Sequence, residues 1–135
     1  MIYNLAQLLR NNFANEVVYV DGRVKLAGQQ TIPVRCLLLI DTGGTEQPWM
    51  HYQILTVQLT VRDIDAPKSR KFAWDVFTFL TGRFGLLLPQ ITVGGVTHAQ
   101  IQTAQISAIQ VPYNLGPDED GRWEYVTNYQ VIKER

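Results

Sequence analysis

Ile101-Gln-Thr-Ala-Gln-Ile-Ser-Ala-Ile-Gln-Val-Pro112, then Tyr113-Asn-Leu-Gly-Pro-Asp-Glu-Asp-Gly-Arg122, then Trp123-Glu-Tyr-Val-Thr-Asn-Tyr-Gln-Val-Ile132: this stretch decides the architecture. Two runs rich in β-branched and aromatic residues flank a Gly/Pro/Asp cluster, which predicts a long C-terminal β-hairpin closed around Asp120-Gly121. Successive strand side chains alternate, so Trp123, Tyr125 and Tyr129 share one face and Glu124, Val126, Asn128 and Gln130 the other. The aromatic stripe reads as core lying beneath helices, with a subunit interface as its alternative.

Upstream, Leu55, Val57, Leu59 and Val61 alternate with Thr56, Gln58, Thr60 and Arg62. That is a strand with one core face and one face that is wet or meets a neighbour. Before it, residues 34–40 form an apolar run that reads as a strand buried on both faces. Asp41-Thr-Gly-Gly-Thr-Glu-Gln-Pro48 reads as a loop leading to Trp49-Met-His-Tyr52. Asp65 is an expected N-cap with Pro67 in the first turn, Phe72, Val76, Phe79 and Leu80 form the buried side of a helix, and Gly82 closes it. Ile2, Leu5, Ala6, Leu9 and Phe13 recur at helical spacing, predicting an opening helix that ends near Asn15. A short strand at 17–20, a turn at Asp21-Gly22 and a polar loop at 25–33 follow, and Val93-Gly-Gly-Val96 marks a tight turn. The expectation is a single α+β domain over residues 1–135. It has an antiparallel or mixed β-sheet, two α-helices packed on one face and a long C-terminal β-hairpin.

At 46% hydrophobic and 18% charged residues, the chain carries enough apolar surface to fold. Its 12 basic residues are balanced by 12 acidic ones and scattered, which argues against a nucleic-acid or membrane surface. The densest basic group, Lys68-Ser-Arg70-Lys71, reads as a solvated helix start. The single cysteine, Cys36, sits in an apolar run and is expected to be a buried, inert thiol. The N-terminus has no charged leader before an apolar block, so the expectation is a soluble protein made in a cytosol.

Few residues suggest chemistry. Leu38-Leu-Ile-Asp41-Thr-Gly43 matches the strand-Asp-Thr-Gly entry of aspartic proteases, whose paired carboxylates share a proton. The Gly-rich flap and the later apolar-apolar-Gly segment of such enzymes are missing, and Gly44 replaces the usual Ala or Ser. Asp118-Glu-Asp-Gly121 lacks the remaining oxygen ligands of a calcium loop. His51 and His98 have no partner at ligand spacing. No catalytic residue, metal or cofactor is expected. A metabolite-binding domain with a pocket between helix and sheet is a further possibility. Trp49 and Tyr52, beside a polar loop, are the residues most suited to contact a neighbour.

The order of motifs resembles the small tail-terminator proteins of long-tailed bacteriophages, also called minor capsid proteins. The resemblance runs through the strand into Asp41-Thr42-Gly43-Gly44, the strand ending Val61-Arg62, the helix over 72–80 and the Tyr113-to-Val131 hairpin. Most specific is Pro-Tyr, then Leu-Gly-x-Asp-x-x-Gly-Arg, then aromatic-Glu-aromatic-x-x-Asn-Tyr-x-Val. Pro117 departs from the pattern, where a charged residue, often Arg, is expected. The resemblance implies a structural virion protein and not an enzyme. Its subunits would form a hexameric ring at the head-proximal end of the tail tube, stop tube polymerisation and dock the head connector. The implied partners are further copies of the chain, the tail tube protein and the connector or neck protein, with DNA passing through the lumen. The candidate partner-contact residues are Asp41, Thr42, Gly43, Gly44, Trp49, Tyr52, Asp118 and Arg122. Another neck or head–tail completion protein is the alternative reading, and the Asp41 protease a remote one.

Overall fold

A computed structural model describes residues 1–20, 35–46 and 49–134. The expected turn at Asp21-Gly22, the loop at 25–33, Val34 and the Gln47-Pro48 end of the second loop lie outside the described residues. The chain runs α1 (Ile2–Asn12), β1 (Val18–Val20), β2 (Cys36–Glu46), β3 (Tyr52–Asp63), α2 (Ala66–Leu80), β4 (Arg83–Phe84) and β5 (Leu87–Leu88). It continues with β6 (Ile91–Val93), β7 (Val96–His98), β8 (Ile101–Ala108), β9 (Tyr113–Pro117) and β10 (Trp123–Glu134).

The two longest alternating segments pair with each other. β10 lies antiparallel to β3 along its whole length, from Trp123 opposite Asp63 to Glu134 opposite Tyr52. Its other edge is shared between β9, opposite Trp123 to Val126, and β8, opposite Tyr129 to Lys133. The expected hairpin is therefore present, but its first arm is broken at residues 109–112, where Pro112 has no amide to give a ladder. β2 pairs antiparallel with the far side of β3, β1 pairs parallel with β2, and β4 and β5 flank β8. β6 and β7 form a separate hairpin turned by Gly94 and Gly95, both at positive φ, as the Gly-Gly signal requires.

The sheet buries one face against both helices. Leu37, Val61 and Tyr125 lie in one cross-strand row, and Val57, Tyr129 and Ala108 in another. These residues pack with Ile2, Leu5, Ala6 and Leu9 of α1 and Phe72, Ala73, Val76 and Leu80 of α2. Tyr129 is fully buried and Tyr125 packs against the same cluster, so these two of the aromatic stripe are core, while Trp123 is half-buried outside the cluster. Each fully buried Leu, Val, Ile or Phe of this cluster contributes roughly 1.5–3 kcal/mol. Helix α1 stops at Asn12, short of the expected Asn15, because Phe13 leaves the spiral. Its ring packs edge-on against Phe72 at 5.7 Å and Phe79 at 5.8 Å, joining the two helices. Asp65 caps α2 by accepting the Lys68 amide, Pro67 occupies the first turn and Gly82 follows at φ 70°, all as expected.

Residues 36–39 are buried on both faces: Leu37 and Leu39 in the helix-covered core, Cys36 and Leu38 opposite, beside Tyr19 and Ile40. The loop expected from Asp41 is corrected. The strand continues to Glu46, with Thr45 opposite Ile54 and Glu46 opposite Gln53, after a bulge between Asp41 and Gly43. Turn-forming residues here supply a bulge because β3 still offers a ladder for the chain to rejoin.

Asn4 is a polar residue that the helical pattern did not flag. It is fully buried, and its amide donates to the carbonyls of Pro89 at 2.9 Å, Ala99 at 2.9 Å and His98 at 3.3 Å. The side chain thus fixes α1 to both ends of the β6–β7 excursion. Asn4→Ala should cost about 1–3 kcal/mol by leaving buried carbonyls unpaired, read as a lowered midpoint in chemical denaturation.

Candidate interaction surface

β3 sets the spacing of the candidate contact residues. Its twelve residues, on the order of 36 Å at about 3.3 Å per residue, hold Trp49 and Tyr52 at one end and the turn of Asp118 and Arg122 at the other, while Asp41 to Gly44 lie alongside its middle, opposite Val57 to Leu55. At one end is the β2–β3 tip. Trp49 is 78% exposed, Tyr52 41% and Met50 is exposed beside them. All of Asp41, Thr42, Gly43 and Gly44 are exposed. The Asp41 Oδ1 accepts the Gly43 amide at 2.8 Å, and the Thr42 hydroxyl donates to the Thr56 hydroxyl at 2.7 Å. This is bulge chemistry: a carboxylate holding its own backbone in water, unlike the desolvated pair that a shared proton needs. Asp41, Gly44, Glu46, Gln53 and Leu55 line an open cavity of about 360 Å³ beside the strand.

Backbone geometry dictates glycine at Gly44. Its φ is +142°, and a Cβ there would stand 2.0 Å from the Ile54 carbonyl oxygen and 2.8 Å from the Leu55 Cα. Gly43 is also at positive φ, but with open space around it.

At the other end, the β9–β10 turn is built around Asp118. Its amide donates to the Arg122 carbonyl at 2.7 Å, and its Oδ1 accepts the amides of Asp120 and Arg122, both at 2.9 Å. Its Oδ2 accepts from the Arg122 guanidinium at 2.9 Å, while Asp120 lies 3.4 Å from the same group. Partial burial would raise the Asp118 pKa. The Arg122 amide, the Arg122 charge and the Asp120 amide outweigh it and hold the carboxyl below its ordinary value. Arg122 is only 7% exposed. Asp118 and Arg122 therefore shape the turn, and the side chains it turns outward are Glu119 and Asp120.

Nearby, Arg35 bridges Glu16 at 2.8 Å and Asp63 at 3.3 Å and lies 4.3 Å over the Phe72 ring. Arg62 meets Glu124 at 3.6 Å across the ladder. Sequence reasoning missed both, since no local spacing joins residues that far apart. Cys36 is fully buried, and burial above all pushes its thiol pKa up, away from the reactive thiolate. Among the described residues, no cluster of three His, Cys, Asp or Glu side chains could hold a metal.

Compared with known proteins, residues 30–135 match a family model described as "Bacteriophage tail terminator protein". None of the curated proteins matches the chain.

Proposed function

The chain belongs to the bacteriophage tail terminator family, and from that premise we propose that it is a ring subunit closing the head-proximal end of the tail tube. Membership makes it a structural component of the virion tail that contacts other phage tail or head proteins. In the finer reading, six copies form the ring, stop tube polymerisation and offer the head connector a docking surface while DNA passes through the lumen. The supporting observation is that one rigid β3–β10 ladder carries two chemically different ends, an exposed aromatic tip at Trp49 and Tyr52 and an acidic turn at 118–121. Such a subunit can meet different partners above and below without moving. Its work is steric, and several weak contacts made in a ring act together.

The test is electron microscopy of particles from a phage in which the gene is silenced. Overlong tubes beside unattached filled heads support termination. Tails of normal length whose heads fail to join or leak would reassign the chain to the neck, and normal virions would sink the structural reading. In that last case Asp41→Asn tests the protease alternative, since an enzyme would lose turnover.

Trp49→Ala is expected to weaken capping of purified tube ends by about tenfold or more, because interface centres rely on large aromatic side chains. The melting temperature should hardly move, since an exposed side chain far from the core changes stability by about 0.5 kcal/mol or less. Unchanged capping with a collapsed melting temperature would place Trp49 in the fold instead.

A further inference from the structure

The register of the sheet defines a stepped outline among the described residues. In the half near Asp63, one row crosses β1, β2, β3, β10 and β9 through Val18, Leu37, Val61, Tyr125 and Asn114. In the half near Tyr52, another crosses β2, β3, β10, β8 and β4 through Gly44, Leu55, Val131, Ile106 and Arg83. The two halves are equally wide but offset by one strand. β1 therefore projects on one side of the first half, and β4 projects on the opposite side of the second.

A rotation about an axis parallel to the strands keeps every row at its own height. A neighbouring copy placed by such a rotation brings β4 against the Asp41–Glu46 edge of β2, and β9 against β1. Step fits step.

The chemistry of the facing edges matches. Arg83 and Phe84 are exposed, Phe84 by 77%, and Arg83 lies 5.3 Å over Phe79 at the rim of α2. Alternation puts Arg83 on the helix-covered face, in the row of Ile106, Val131 and Leu55. The cavity beside the opposite edge opens among Asp41, Glu46, Gln53 and Leu55, residues of that same face. A guanidinium in the Leu55 row on one side thus faces the gap between two carboxylates on the other, Asp41 in the Val57 row and Glu46 in the Gln53 row. Alongside, Val111, Tyr113 and Leu115 are exposed at alternate positions of an edge that carries no charge from 109 to 117.

We propose that a second copy of this chain seats head to tail on these edges, with Arg83 of one copy entering the Asp41–Glu46 cavity of the next. The proposal rests on the ring reading above and names its subunit contact. A heterologous contact of this kind closes into a ring when its rotation divides a full turn.

The test is charge reversal in the full chain. Arg83→Glu should weaken self-association at least about tenfold by sedimentation, or cut the copies per tail to the same degree, with the melting temperature kept. Adding Asp41→Arg and Glu46→Arg to that variant should restore assembly. Three outcomes overturn the contact: Arg83→Glu assembling like the parent chain, a loss that the combined variant does not rescue, or one copy per tail with a monomer in solution. The presence of the chain on tails tests the functional reading separately, so the two can fail independently.

Discussion

Gly44→Ala is expected to destabilise the β2–β3 hairpin by about 3 kcal/mol, while Gly43→Ala costs only about 1 kcal/mol. Both residues sit at positive φ in the same bulge, so the strain an L side chain meets there is common to the two. They differ in what a methyl group would touch. At Gly43 it enters open space, whereas at Gly44 it stands 2.0 Å from the Ile54 carbonyl oxygen, backbone of the paired strand that no rotamer can move. The distal ladder from Thr45 opposite Ile54 to Glu46 opposite Gln53 must then separate or slip, and a one-residue slip turns every side chain to the wrong face. Hydrogen exchange would locate the effect. Amides of residues 44–46 and 53–55 should lose protection in Gly44→Ala while those of Val57 to Val61 keep it. Equal costs at the two glycines would show that the close approach does not decide the matter. Because this ladder carries Trp49 and Tyr52, Gly44→Ala should also weaken tail capping.

Asp118→Ala should cost about 2–3 kcal/mol, a large loss for one turn residue. The carboxylate accepts two amides and one guanidinium, and its removal takes all three bonds from a turn whose Arg122 is only 7% exposed. The pH dependence follows from the lowered Asp118 pKa. The unfolded chain protonates this group first as pH falls, so the stability it adds is complete above its ordinary value of 3.8. That stability is lost as pH drops through the depressed folded value. Asp118→Asn should flatten this acid limb of the stability curve relative to the parent chain. An unchanged acid limb would mean that the carboxylate charge is not what holds Arg122.

Residue patterns within one element were legible. The alternation of Leu55, Val57, Leu59 and Val61, the Asp65 cap and the Gly94-Gly95 turn each describe a conformation that neighbouring residues impose. The turn at 118–121 was legible for the same reason, although its interior role was not. Asp118 and Arg122 looked like surface groups, because a charged residue in a Gly/Pro-rich turn is usually solvated. Only the folded-back backbone brings the guanidinium under the carboxylate. Asp41-Thr-Gly-Gly was misread as a loop because turn residues serve equally in a bulge. The choice between the two depends on whether a partner strand continues beyond it, and that partner, β3, lies past the tip.

Local patterning was enough to reveal the α+β class, the two amphipathic helices, the strand faces and the C-terminal hairpin, together with a likeness to tail terminators that the family match bears out. Those properties depend on periodicity and on residue-specific backbone preference, which operate over a few residues. Long-range packing was needed to place β10 between β3 on one side and β8 and β9, end to end, on the other, to make Asn4 the anchor of the β6–β7 excursion, and to step the edges of the sheet. Strands of matching alternation are interchangeable to a local reading. Their order and register emerge only when the whole apolar face is buried at once and most interior polar groups are paired.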